Sequence, residues 1–247
     1  MARPSSIELP GGERIQILYE DRSVLAIDKP SGWMLAPDSW HNTSRNLHNA
    51  LMEGLRRGDF WARSRQLRFL RYVHRLDAET SGVLLLVRSP GALRPLSDLF
   101  ETRKMEKVYL AIVHGVPQQN EWSCDLKLAP VEGTPGKMKS DRNGKEAVTQ
   151  FQLLESGGDT SLVEVRPLTG RTHQIRVHLA ATGHPVLGDS LYGAAHEQVD
   201  SLGLRAVRLS YIDPFTRRQV RIQAPKDEFV QRFGFAAVQS QAGSLAK

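Results

Sequence analysis

The chain has 247 residues, of which 40% are hydrophobic and 24% are charged, which is typical of a globular protein with a well-buried core. Lys and Arg total 33 against 27 Asp and Glu, so the formal net charge is +6 and favours polyanionic partners. No apolar run approaches the ~18 residues that cross a bilayer, and the first residues lack the apolar middle of a signal peptide. Cys124 is the only cysteine, which excludes an internal disulfide and a cysteine metal cluster. We therefore expect a cytoplasmic protein with no membrane partner.

Short β-rich runs alternate with a few helical stretches along the chain. Strands are predicted at residues 15–20, 23–30, 83–87, 107–115, 147–155, 160–168, 206–213 and 219–225, and helices at residues 46–57, 90–104, 172–182 and 226–235. Thr172 is the expected cap of the third helix. Strands dominate and the helices do not alternate regularly with them, which predicts an α+β domain around a mixed, mostly antiparallel sheet.

Three segments are expected to lie outside the core. Residues 1–14 are predicted to be a flexible leader, and residues 236–247 a disordered tail, because small and polar residues fill the chain end. Residues 116–145 are rich in Gly, Pro and charge, which predicts a long loop or a hairpin insertion. Their polar composition is not expected to build core.

A basic segment spans residues 56–75. Seven arginines are interleaved there with four aromatic residues: Arg56, Arg57, Arg63, Arg65, Arg68, Arg71 and Arg75, with Phe60, Trp61, Phe69 and Tyr72. Arginine forks for phosphates beside flat rings suit a nucleic-acid surface. A solvated basic helix whose aromatic residues pack inward explains the same pattern equally well.

A carboxylate, Asp77, lies in the turn-rich string HRLDAETSG just before the apolar run VLLLV. A polar loop at the mouth of a buried strand can hold such a group rigidly beside a substrate, as a nucleophile or a base. Arg75 can grip a phosphate or fill a gap in a base stack. An ordinary surface turn accounts for the same residues, because Asp, Ser, Thr and Gly are common in turns.

A second polar string, LTGRTHQIRVH, opens the helix predicted at residues 172–182. Arg176 can point inward only if a carboxylate meets it, because a buried lone guanidinium is too costly; a surface helix with a basic face is the alternative. His173 and His178 are five residues apart, which is off the i,i+4 zinc spacing, so no metal site is expected. Tyr109 lies in the predicted strand KVYLAIVHG. A tyrosine in a strand usually packs in the core or at its rim, so by itself it does not indicate a catalytic group.

Taken together, HRLDAETSGVLLL, KVYLAIVHG and LTGRTHQIRVHLAATGHPVLGDSLYG resemble the RluA-type family of RNA pseudouridine synthases. The resemblance covers residues 15–235, from ILYEDRSVLAIDKPSG to the RIQAP segment, and makes this range the expected catalytic domain. It implies a mixed, mostly antiparallel sheet with flanking helices and a central RNA-binding cleft into which the target uridine is flipped. It also implies an isomerase that needs no metal or organic cofactor.

The same resemblance implies a role for individual residues. Asp77 matches the essential aspartate and Arg176 the arginine paired with it, Tyr109 matches the ring that stacks near the target base, and Arg75 the arginine that fills the space left by the flipped nucleotide. Further substrate contacts are expected from the same strings, at His74, Thr80, Arg171 and His173. The implied substrate is a uridine in ribosomal or transfer RNA, with no obligate protein partner and a monomeric enzyme.

Two departures and two alternatives accompany this interpretation. Many relatives carry an N-terminal S4 RNA-binding domain, for which residues 1–14 are too short, so target choice is expected to depend on residues 56–72 and 116–145. Where relatives often have LHA, this chain has Leu-Arg-Ala at residues 204–206. A non-catalytic RNA-binding or ribosome-assembly factor would keep the fold, but Asp77 argues against it. A glycoside or nucleoside hydrolase would need a second carboxylate, for which Glu79 is the nearest candidate.

Overall fold

The computed structural model describes residues 3–35, 45–193 and 201–236. Its strands are β1 (Ser6–Glu8), β2 (Arg14–Glu20), β3 (Val24–Lys29), β4 (Arg71–Tyr72), β5 (Ser81–Val87), β6 (Glu106–His114), β7 (Glu121–Cys124), β8 (Leu128–Pro130), β9 (Met138–Ser140), β10 (Thr149–Gly157), β11 (Thr160–Pro167), β12 (Leu204–Ile212) and β13 (Gln219–Gln223). Its helices are α1 (Leu47–Arg57), α2 (Phe60–Arg63), α3 (Pro90–Glu101), α4 (Gln174–Ala181) and α5 (Asp227–Arg232). No helix in these ranges is long and apolar enough to span a bilayer.

Eleven strands form one sheet in the order β1-β2-β3-β5-β12-β6-β11-β10-β7, with β13 on β12 and β4 on β5. All of its pairings are antiparallel except that of β5 with β12, where Arg205 lies opposite Ser81. At that parallel junction Gly82 has a φ of +112° and contacts the backbone of Ala206 so closely that a Cβ atom would collide with it. The predicted α+β fold with a mixed, mostly antiparallel sheet is confirmed.

The central strand β5 is apolar on both faces because each face is covered. Leu84 and Leu86 belong to one core cluster, together with Leu47 and Leu51 of α1. Val83, Leu85 and Val87 belong to a second cluster on the other face, with side chains of α3. A strand buried on both sides loses the alternation of apolar and polar residues, which is why VLLLV is a continuous run.

The prediction of a flexible leader was wrong for residues 6–14. Strand β1 pairs with β2, with Ile7 opposite Ile15, and both side chains are 1% exposed. Ile7 and Leu9 alternate with polar residues, so they reach the buried face that also holds Trp33. Most of the predicted tail, residues 237–247, lies outside the described residues.

The segment at residues 116–145 contains the expected hairpin, formed by β8 and β9, and also the edge strand β7. The expectation that it builds no core was wrong, because Leu128 is buried with Ala147 and Val177. The predicted cap of α4 was also wrong. The helix begins one residue later than expected from Thr172, with His173 at its N-cap in a left-handed conformation (φ 52°).

Candidate active site

A cleft of about 660 Å³ opens where β5 and β12 begin. Its walls come from the loop before β5, the floor from β6, and the far side from the segment that joins β11 to α4. Every site residue predicted from the sequence lines it: His74, Arg75, Asp77, Thr80, Tyr109, Arg171, His173 and Arg176. The fold therefore brings together side chains that are as far apart in the chain as His74 and Arg176.

The loop that carries Asp77 is held by a buried lysine. Nζ of Lys29 donates to the carbonyl oxygens of Pro30 at 2.9 Å, Ala78 at 2.8 Å and Thr80 at 2.8 Å. Burial lowers the pKa of Lys29 to about 7. The backbone N–H of Thr80 also donates to the carbonyl of Asp77 at 3.2 Å. These contacts fix the loop backbone, so the Asp77 carboxylate is held in the cleft with a quarter of its side chain exposed.

Arg176 is shared by two carboxylates. Its Nε and Nη2 donate to the two oxygens of Asp189, each at 2.7 Å, and its Nη1 donates to Oδ2 of Asp77 at 3.5 Å. The side chain of Arg176 is 2% exposed and that of Asp189 is fully buried. Burial by itself would lower the pKa of Arg176, but the hydrogen bonds and charge of Asp189, and then the charge of Asp77, raise it. The inward arginine thus has the carboxylate partner that its burial requires, and its stronger partner is Asp189.

His173 and Tyr192 complete the same network. Nδ1 of His173 lies 2.9 Å from the Tyr192 hydroxyl, and its Nε2 lies 3.8 Å from Oδ2 of Asp77. The guanidinium carbon of Arg176 lies 5.3 Å from the centre of the Tyr192 ring, and Oδ1 of Asp189 accepts the backbone N–H of Tyr192 at 3.1 Å. Burial lowers the pKa of His173, although the charge of Asp77 opposes the shift.

The floor of the cleft is the face of β6 that carries Lys107 and Tyr109. Burial, and then the charge of Asp77, raise the pKa of Tyr109 above its ordinary value, so the phenol stays protonated at neutral pH. Nζ of Lys107 donates to the carbonyl of Thr169 at 2.8 Å. His74 is committed to the wall, because its Nε2 accepts the backbone N–H of Leu85 at 2.9 Å and its ring stacks on Phe100. Burial, and then the charge of Lys107, lower its pKa to about 3.

The rim is basic. Arg75 is exposed at the mouth of the cleft. Arg171 uses Nε to donate to the carbonyl of Glu146 at 2.9 Å, which leaves its other N–H groups for a ligand. Thr80 is buried in the wall.

Four residues of this site were not predicted from the sequence: Lys29, Lys107, Asp189 and Tyr192. Asp189 and Tyr192 lie in the string GDSLYG. Its carboxylate can be recognised as a site residue only once Arg176 is known to be buried. Lys29 precedes Pro-Ser-Gly, where a lysine is expected in solvent. Glu79 does not line the cleft, and the part of the chain that the structure describes contains no cluster of potential metal ligands.

The basic segment at residues 56–75 divides into two kinds of arginine. Arg65 is buried: its Nε donates to Glu20 at 2.6 Å, and its Nη atoms donate to the carbonyls of Trp61 and Pro4. Arg63 and Arg68 are exposed. Trp61 is buried, and Phe69 and Tyr72 pack against the core, so of these rings only Phe60 is largely exposed.

Comparisons with known proteins agree with this geometry. The model of the RNA pseudouridylate synthase family matches residues 23–181. The chain is 37% identical to ribosomal large subunit pseudouridine synthase C of Escherichia coli strain K12, covering 87% of this chain and 68% of that one. It is 34% identical to the protein of the same name from Vibrio cholerae, covering 87% and 67%.

Two solved human structures have similar folds. Human RNA pseudouridylate synthase domain containing 1 has a TM-score of 0.66 and 28% identity, over 85% of this chain and 83% of the other. Human RNA pseudouridylate synthase domain containing 4 has a TM-score of 0.67 and 26% identity, over 85% and 87%.

Proposed function

Because the chain belongs to the RNA pseudouridylate synthase family, we propose that Asp77 is the catalytic carboxylate of an isomerase that acts on RNA of the large ribosomal subunit. The reaction converts uridine in RNA to pseudouridine. The bond between C1′ and N1 breaks, the uracil ring rotates, and C5 bonds to C1′. The proton on C5 leaves and N1 gains one, so the product is an isomer of the substrate.

The observation that carries the role of Asp77 is the unequal sharing of Arg176. The guanidinium makes its two short hydrogen bonds to Asp189 and only one long contact to Asp77. Asp77 therefore lies beside a cation while most of its hydrogen-bonding capacity remains open to the cleft. A carboxylate in that state can act on the sugar either as a nucleophile or as a base and can stabilise an electron-poor C1′.

The other residues of the cleft are proposed to bind and orient the target nucleotide. Flipping a base out of its stack costs a few kcal/mol, which stacking on Tyr109 and contacts in the cleft would offset. Arg75, which is exposed at the mouth of the cleft, is proposed to enter the space that the flipped nucleotide leaves. Arg171, His173, Thr80 and His74 are proposed to shape and line the pocket for that nucleotide.

Ribosomal RNA is favoured over transfer RNA because the relatives named above are large-subunit enzymes. The net charge of +6 supports a polyanionic substrate. We propose that the enzyme works in the cytoplasm as a monomer and needs no obligate protein partner, since the proposed residues of the cleft all come from one chain.

The test is Asp77→Asn, assayed for pseudouridine formation with purified protein and large-subunit ribosomal RNA. The amide keeps the size of the side chain and removes its charge, so turnover should be abolished while RNA affinity and thermal unfolding change little. Asp159→Asn, in an exposed turn, is the matched control and should keep the wild-type rate. Turnover by Asp77→Asn near the wild-type rate would contradict the assignment, and free uracil as the product would indicate a hydrolase.

A further inference from the structure

Lys107 holds an ammonium group in the cleft without a carboxylate partner. Lys107 and Tyr109 are two positions apart on β6, so their side chains point to the same face of the sheet and both line the cleft. Nζ of Lys107 donates one hydrogen bond, to the carbonyl of Thr169 at 2.8 Å, and no carboxylate within the described ranges forms an ion pair with it. An ammonium has three donors, so two remain for a ligand.

Burial makes this arrangement costly. Desolvation lowers the pKa of Lys107 to about 8, and no neighbouring carboxylate opposes that shift appreciably. A cation that is held partly out of water without an anion destabilises the free protein, and a bound group with negative charge would relieve that cost. The floor of the cleft therefore favours the binding of a negatively charged group beside Tyr109.

The rest of the inner cleft has the opposite balance. Asp77 and Asp189 contribute two negative charges and Arg176 one positive charge, which leaves a net charge of −1 around the guanidinium. The donors of Arg176 are directed at those two carboxylates. The two rim arginines, exposed Arg75 and half-buried Arg171, lie where water screens their charges. An anion formed deep in this cleft would meet net negative charge unless Lys107 faces it.

The proposed reaction forms such an anion. When the C1′–N1 bond breaks, its electron pair leaves with uracil, and the charge spreads to the carbonyl oxygens of the ring. We propose that Lys107 is a further catalytic residue, whose ammonium donates to a carbonyl oxygen of the departing uracil and stabilises its negative charge. The inference rests on the proposed function, because it assumes that the target base lies against Tyr109.

The main test is Lys107→Met, assayed in single turnover at saturating RNA. Methionine keeps the length and apolar character of the stem and removes the charge. Loss of one positioned donor typically costs about 10²–10³-fold in rate, and that loss is expected here with unchanged RNA affinity. Lys107→Arg keeps a cation and should lose less. If the Met variant is unfolded, Lys107→Gln, which can still donate to Thr169, replaces it.

A second substrate separates charge stabilisation from a structural role. Fluorine at C5 withdraws electrons and stabilises the uracil anion without help from the protein. On RNA that carries 5-fluorouridine at the target position, the Lys107→Met variant should therefore lose less rate of C1′–N1 cleavage than it loses on uridine. An equal loss on both substrates would overturn the proposal, as would a loss confined to affinity, which would indicate a phosphate contact.

Lys104→Met is the matched control, because Lys104 is exposed and lies outside the cleft on the loop before β6. It should keep the wild-type rate on both substrates. The two proposals can fail separately. Suppose that the wild-type protein modifies RNA, that Asp77→Asn abolishes the activity and that Lys107→Met leaves it unchanged. Only the role of Lys107 is then disproved. If Asp77→Asn is active, the proposed function fails whatever Lys107 does.

Discussion

Arg176 shows how one side chain can serve both the fold and the site. Its bidentate pair with Asp189 is buried, and Asp189 in turn accepts backbone N–H groups of Leu191 and Tyr192. The pair with Asp189 thus fixes the guanidinium without any contribution from Asp77, and the 3.5 Å contact to Asp77 follows from that position. Asp189 acts as a positioning residue, because it sets the location of the cation beside the proposed catalytic carboxylate.

Asp189→Asn should therefore lower both stability and activity. Breaking a buried ion pair from one side costs about 3–5 kcal/mol in the free energy of unfolding. Displacement of Arg176 should reduce the single-turnover rate on the order of 10²-fold, since misplacement by about 1 Å can cost that much. Urea unfolding and pseudouridine formation at saturating RNA measure the two effects.

Glu20→Gln is the matched control, because it breaks the pair with the buried Arg65 and neither residue lines the cleft. It should lower stability and leave the rate of the folded enzyme unchanged. If Asp189→Asn keeps the wild-type rate, or if Glu20→Gln loses rate equally, the positioning role of Asp189 is excluded.

At the scale of the element, the segment from α2 to β4 combines an anchor with an exposed basic surface. Arg65 fastens the segment to β2 through Glu20, and Trp61 packs beneath it. Arg63 and Arg68 project into solvent, and neither forms an ion pair with a described residue. The interleaved pattern of arginine and aromatic residues thus arises from two different demands, burial for one set of side chains and exposure for the other.

If Arg63 and Arg68 contact RNA phosphates, replacing both with Gln should weaken binding and flatten its salt dependence. Each phosphate contact adds roughly 0.7–0.9 to the slope of log K against log salt, and the rate at saturating RNA should not change. The control is Arg217→Gln with Arg218→Gln, which are exposed in the hairpin after β12 and do not line the cleft. An unchanged slope in the Arg63 and Arg68 variant would show that these arginines face only solvent.

Elements with a strong local pattern could be predicted from the sequence, and those that depend on a distant partner could not. The spacing of Leu47, Leu51 and Leu55 gives α1 correctly, because an amphipathic helix needs only its own periodicity. Strand β1 has three residues, and it is a strand only because β2 pairs with it. The same limit applied to the site: Asp77 follows from a resemblance in a long string, whereas the carboxylate that grips Arg176 is defined by the folded chain.

At the scale of the molecule, the sheet brings sequence motifs that are distant in the chain together in one cleft. The parallel pairing of β5 with β12 brings the loop of Asp77 beside Leu204, and β6, next to β12, supplies Tyr109 and Lys107. Strand β11 then leads from β6 to α4, which carries Arg176. Each motif lies on a different element, so the site forms only when the sheet is folded.

Which RNA the enzyme modifies depends on the whole molecule and is best tested in the cell. In cells that lack the gene, pseudouridine should disappear from one or a few positions in large-subunit ribosomal RNA, while transfer RNA keeps its pattern. The wild-type gene should restore those positions. The Asp77→Asn gene should not restore them, because its product keeps the fold and the basic surface but lacks the proposed catalytic charge. Mapping of pseudouridines in total RNA measures the outcome, and losses confined to transfer RNA would contradict the proposed substrate.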